Sequence, residues 1–143
     1  MILVDANLLI YASDQRSVFH RHAKDWVDRQ LTEAVQVGLP WSSLLAFLRI
    51  TTDPRIYERP ATATDAWQQV ASWLASACVW VPQATARHGE ILARLLALPG
   101  IRGKLVPDAD LAALAIEHGL ILCSTDGDFA RFPGLRWQNP LTG

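Results

Sequence analysis

Apolar positions recur along this chain in two rhythms. Short continuous runs, Ile2 to Val4, Val37 to Leu39, Val79 to Val81, Leu120 to Cys123 and Leu135 to Trp137, read as short buried strands. Longer stretches between them carry apolar residues at helical spacing. Asn7 to Ala12 predicts a helical turn, and Val18 to Val35 a helix with Ala23, Trp26, Val27, Leu31 and Ala34 on one side. Pro40 with Ser42 and Ser43 opens a helix running through Ile50. Thr64 is placed to cap a helix from Asp65 to about Ser76, with Trp67, Val70 and Leu74 on its inner face. Thr85 is placed to cap a helix to Leu98 that uses Ile91, Leu92, Leu95 and Leu96 and ends at Pro99-Gly100. Asp108 is placed to cap a last helix to Glu117, stopped by Gly119. Strands alternating with helices in this way predict a three-layer α/β/α fold around a central parallel sheet.

Length and composition add bounds to this pattern. A chain of 143 residues, without repeat or linker, is expected to form a single domain over 1–143 with a substantial core. Half its residues are hydrophobic and 19% are charged, which is unlike a disordered chain. The net charge of −1 means that any attraction for phosphate must come from a local patch. No apolar run approaches the roughly 20 residues of a membrane helix, and no membrane association is expected. Met-Ile-Leu-Val runs into Asp5 with no basic leader, so no signal peptide is expected. Cys78 and Cys123 sit among apolar neighbours and read as buried free thiols of a reducing compartment, which points to the cytoplasm. His20, His22, His88 and His118 lack zinc-site spacing and read as surface or core residues.

The chemistry resides in the aspartates. Asp5 follows the first strand, and Asp126 follows the strand ending at Cys123. In parallel sheets, sites form at the carboxyl ends of strands. Asp108 begins the helix that leads into that second strand, and a helix packed antiparallel to its strand starts at the same edge. Asp5, Asp108 and Asp126 are therefore expected in one cleft, with Asp110 and Asp128 near enough to support them. Carboxylates brought together repel and resist ionisation, and a divalent cation removes that cost. Oxygen-only ligands favour Mg²⁺ or Mn²⁺ over zinc. Taken singly, Asp5 and Asp108 are equally well explained as helix caps and Asp126-Gly127 as a turn. Their convergence on one edge favours the metal site, with Asp5, Asp108, Asp126 and Asp128 as its ligands.

Other features carry less. Trp26, Trp41, Trp67, Trp73, Trp80 and Trp137 are better accounted for by core packing or a protein interface than by base stacking. Such apolar faces lead us to expect a self-associating chain. Arg102 and Lys104 lie in a glycine-bounded loop before Asp108, where they are either phosphate contacts or a solvated loop.

Three segments together resemble a known family. Met-Ile-Leu-Val-Asp-Ala-Asn-Leu-Leu at the start resembles the opening of a PIN domain, with Asp5 as its first acid. Val106 to Ala115 is similar to the later PIN motif around Asp108, and Ser124 to Phe129 to the last one around Asp126. Leu39 to Arg49 and Phe132 to Leu141 resemble one branch of the VapC toxins, so the likeness covers nearly the whole chain. The resemblance implies an Mg²⁺-dependent ribonuclease, a homodimer, RNA as substrate and a cognate VapB-like antitoxin that blocks the site. One position departs from the pattern. PIN nucleases usually place a glutamate on the helix after the second strand, where this chain has Phe47. That departure keeps a second reading open, a PIN-fold module that binds RNA or a partner with little cleavage. A phosphotransfer domain with Asp5 as nucleophile fits less well, because Asn7 stands where a second aspartate is needed.

Overall fold

A computed structural model describes residues 1–33 and 35–142. Ala34, assigned from the sequence to a helical face, lies outside the described residues. Five strands form one sheet: β1 (Ile2–Val4), β2 (Val37–Gly38), β3 (Val79–Trp80), β4 (Ile121–Cys123) and β5 (Arg136–Gln138). All pairings are parallel and the order is β3-β2-β1-β4-β5, so β1 sits at the centre. Six helices connect them: α1 (Ala6–Ser13), α2 (His20–Thr32), α3 (Trp41–Thr51), α4 (Ala63–Leu74), α5 (His88–Leu96) and α6 (Leu105–His118).

Side chains alternate across a strand, and both faces of this sheet are covered. Ile2 and Val4 point to one face, where they join Leu8, Leu9, Trp26, Leu44, Phe47, Val70 and Trp73 from α1 to α4. Leu3 points to the other, joining Leu122, Ile91, Leu95, Ala112 and Phe129. Three layers result, with α1 to α4 on one side and α5 and α6 on the other. Burial on both faces is why β1 and β4 read as unbroken apolar runs, whereas the edge strand β5, Arg136-Trp137-Gln138, is largely exposed.

Several sequence expectations need correction at element ends. Helix α4 starts two residues earlier than predicted, because Thr62 rather than Thr64 accepts the capping bond, from the Asp65 amide at 3.1 Å. Its buried face is then Ala66, Val70 and Trp73, and Trp67 turns outward to stack on Trp41. Thr85 does not cap α5, which begins at His88 with Arg87 at the cap position. Asp108 does not cap α6 either. The helix opens at Leu105, since Pro107 is tolerated in a first turn, where its missing N–H is no loss. Asp108 lies within that first turn. Gly119, left-handed at φ 67°, ends the helix as expected. Cys78 is only half-buried, whereas Cys123 is fully buried, and both are free thiols. No helix among the described residues is long and apolar enough to cross a membrane.

A candidate metal centre at the carboxyl edge of the sheet

Asp5 leaves β1 in extended conformation and caps α1, its Oδ1 accepting the Ala6 amide at 2.7 Å. Its own N–H donates to the Cys123 carbonyl at 3.0 Å, which ties the end of β1 to the end of β4. The next residue of that second strand segment, Ser124, is fully buried. Its hydroxyl donates to Asp5 Oδ2 at 2.7 Å and accepts from Asn7 Nδ2 at 3.1 Å and from the Asp126 amide at 3.0 Å. One serine thus fixes the first acid and the loop that carries the third. Asp126 Oδ1 in turn accepts the Asp128 amide at 2.9 Å and starts a 3-10 helix, Gly127–Arg131. Capping and turn roles are therefore real for Asp5 and Asp126, and each still presents a carboxylate to the same edge.

Asp108 approaches from the first turn of α6. Asp108, Asp126 and Asp128 each bring one carboxylate oxygen within 4.8 Å of the others. Asp108 receives no hydrogen bond from the described residues. Burial, reinforced by the charges of Asp126 and Asp5, pushes its pKa up to about 6. Asp5 is also raised above the usual carboxylate value, by burial first, against the bonds from Ser124 and Ala6 that favour its charge. Asp128 behaves differently. Its oxygens meet Lys104 Nζ at 3.0 Å and Arg131 Nη2 at 3.1 Å, and those hydrogen bonds hold its pKa below the ordinary value.

Asp108, Asp126 and Asp128 thus form the close group at this edge, and Asp5 lies outside that group but near enough for its charge to act on Asp108. Lys104 is at that edge too, engaged by Asp128 while largely exposed. Arg102 is exposed and makes no ion pair among the described residues. Asp110 does not join the group. Two residues beyond Asp108, it sits about 200° further round the helix and pairs with His88 Nε2 at 2.7 Å. Phe47 is in the core, 2% exposed, with its ring edge-on to Trp73 at 4.9 Å. Sequence reasoning missed Ser124, Asn7 and Arg131. A polar residue ending an apolar strand, two positions before Asp126, is the signal that marks Ser124.

The donor set suits a hard divalent cation. It consists of carboxylate oxygens only, and burial together with neighbouring acids raises Asp108 and Asp5 despite Lys104 and the bonds from Ser124 and Ala6.

Comparison with known proteins agrees with this geometry. The PIN domain family model matches residues 2–135. Ribonuclease VapC37 of Mycobacterium tuberculosis is 44% identical over 140 residues, covering 98% of this chain and 97% of its own length. Among solved structures, VapC20 of Mycobacterium tuberculosis, described as a toxin cleaving the sarcin-ricin loop, superposes with a TM-score of 0.68 at 23% identity, over 95% of this chain and 99% of its own. A toxin–antitoxin complex from Klebsiella pneumoniae superposes with a TM-score of 0.64 at 21% identity, covering 98% of each chain. The chain belongs to the PIN-domain family and, within it, to the VapC ribonucleases.

Proposed function

We propose that this chain is a metal-dependent ribonuclease, working as one domain over 1–143, and the toxin of a VapBC-type pair. The observation that carries the reading is the close group of Asp108, Asp126 and Asp128 at the carboxyl edge, with Asp5 near enough to act on Asp108. The name of VapC37 supports RNA as substrate, and the Klebsiella complex supports a VapB-like antitoxin as partner. Free thiols and the family fit a cytoplasmic homodimer.

Asp5, Asp108 and Asp126 would hold Mg²⁺ or Mn²⁺, with Asp128 as a fourth ligand once it leaves its cations. Bound there, the ion neutralises the carboxylates and the charge that develops on the scissile phosphate. The remaining work belongs to the chain. Ser124 holds Asp5 Oδ2 in place at 2.7 Å, and the Asp128 amide orients Asp126, so neither carboxylate must reorganise when substrate arrives. Lys104 and Arg131 place positive charge at the rim, where a phosphate backbone can exchange with Asp128 for them. Arg102 lies exposed in the same loop and extends that rim.

A second reading, a PIN-fold module that binds RNA or a partner with little cleavage, is favoured by Phe47, which removes an acid the family usually supplies. Incubation of total RNA with the purified protein separates the two. Cleavage should require Mg²⁺, stop with chelator, and fall by roughly a hundredfold or more in Asp5→Asn, given the several kcal/mol a catalytic metal contributes. Absence of cleavage by the wild type supports the binding module. Equal cleavage by Asp5→Asn removes Asp5 from the site.

A further inference from the structure

On the side of α6 away from Asp108, an open pocket of about 340 Å³ lies beside the carboxyl ends of β2 and β3. Its walls include Pro40 and Trp41 from the start of α3, Pro82 and Gln83 after β3, and Asp110 with His88. Resting on the ribonuclease reading, we propose that this pocket receives a guanine base of the RNA, with Trp41 stacking on the ring and Asp110 reading its Watson–Crick edge.

The polar end of the pocket is built to hold one carboxylate still. His88 Nε2 meets Asp110 Oδ1 at 2.7 Å, and His88 Nδ1 meets Glu117 Oε1 at 3.2 Å. A carboxylate oxygen on each ring nitrogen favours the charged imidazole, which donates from both. The Glu117 side chain is fully buried and also takes bonds from the Thr85 amide and hydroxyl, both at 3.3 Å. Glu117 and His88 are therefore positioning residues. They fix Asp110, whose side chain is 47% exposed and whose Oδ2 has no partner among the described residues.

An ionised carboxylate only accepts hydrogen bonds, so its ligand must donate. Guanine offers two adjacent donors, N1–H and the 2-amino group, matching two carboxylate oxygens side by side. Adenine, cytosine and uracil each set a ring or carbonyl acceptor beside their donor, and that acceptor would face Asp110 with like polarity. The remaining walls suit a flat ring. Trp41 is 42% exposed and backed by Trp67, with ring centroids 6.4 Å apart and planes within 4°. Unpaired RNA bases are commonly held against such aromatic faces. Pro82 is locked over β2, where a Cβ on Gly38 would come within 2.8 Å of its Cγ. Because β2 and then β3 follow β1 in the sheet, the pocket lies on the same sheet edge as Asp5, one to two strand spacings, about 5–10 Å, to the side.

The test uses the metal-free protein, in which binding does not depend on cleavage. Guanosine, inosine and adenosine 5′-monophosphates are titrated while NMR follows the Trp41 indole N–H and the Gln83 and Asp110 amides. Guanosine monophosphate should shift all three signals. Inosine, lacking the 2-amino group, should bind about tenfold more weakly, as expected for half of a bidentate contact. Adenosine should leave the signals in place. Asp110→Asn should lose the guanosine response, and so should Trp41→Ala, which leaves the His88 arrangement intact. Equal responses to guanosine and adenosine, no response to guanosine, or an undiminished response in both variants would overturn the proposal. RNA cleavage is scored in parallel. Cutting without guanosine binding sinks the pocket and leaves the nuclease. Asp110-dependent guanosine binding without any cutting sinks the nuclease and leaves the pocket.

Discussion

Helix α6 carries acids into two regions that handle charge in opposite ways. At its first turn, burial and the charges of Asp126 and Asp5 outweigh the pull of exposed Lys104 on Asp108, and its pKa rises to about 6. Further along, Asp110 and Glu117 close on His88 from two sides. Burial of His88 disfavours its charge, but its hydrogen bond to Asp110 and the charge of Glu117 outweigh that and raise its pKa. The second region holds a histidine between its two acids. In the first, Lys104 and Arg131 engage Asp128 and leave Asp108 without a hydrogen-bonded partner among the described residues. Acidity alone therefore does not mark the site. What marks it is a partly buried acid with no such partner.

The largest expected effect comes from adding an acid where neither arrangement exists. Phe47→Glu places a carboxylate in the core beside Trp73, with no hydrogen-bonding partner already in place for it. It should cost about 3 kcal/mol or more in urea denaturation. A stable variant with tighter Mg²⁺ binding would mean that position 47 faces the acid edge after all.

The compensated region breaks next. His88→Ala strips the buried Glu117 of a partner and should cost about 2 kcal/mol. The contribution of His88 is fully present below the ordinary value of 6.5 and is lost as pH rises through its higher folded value. Wild-type stability should therefore decline across that upper window, and His88→Ala should not. Identical pH profiles would show that the histidine is not charged between its acids.

A smaller change of opposite sign is expected at the other end of the helix. Asp108 stays protonated in the fold between its ordinary 3.8 and about 6, while the unfolded chain is already ionised there. Metal-free stability should therefore fall as pH rises through that window. Asp108→Asn should be more stable than the wild type at pH 7 by about 1 kcal/mol, a figure reduced for solvent screening. Thermal melting of the two proteins at pH 4 and pH 7 reads the difference. A wild type that gains stability across the window would show that the acid edge is already compensated.

Much of this architecture was legible in the residues. The strands were, because burial on both faces leaves uninterrupted apolar runs such as Ile2 to Val4. The positions of Asp5, Asp108 and Asp126 in the fold were, because each lies at a strand end or helix start whose direction the alternation sets. Helix starts were less so. Thr62 and Thr64 offer the same capping oxygen, and only packing of Ala66, Val70 and Trp73 selects between them. Contacts between distant positions were not legible at all. Ser124 reaches Asp5 across 119 positions, and His88 reaches Glu117 across 29, and neither partner carries a local signal for the other.

The central claim is that the acid edge is a cation site, and calorimetric titration of the metal-free protein with Mg²⁺ at pH 7 tests it most directly. Saturable binding should appear, with release of protons as the Asp108 carboxyl is driven fully to its ionised form. Asp108→Asn should abolish most of that heat, whereas His88→Ala should retain it. No saturable heat in the wild type, or heat unchanged in Asp108→Asn, would contradict the account.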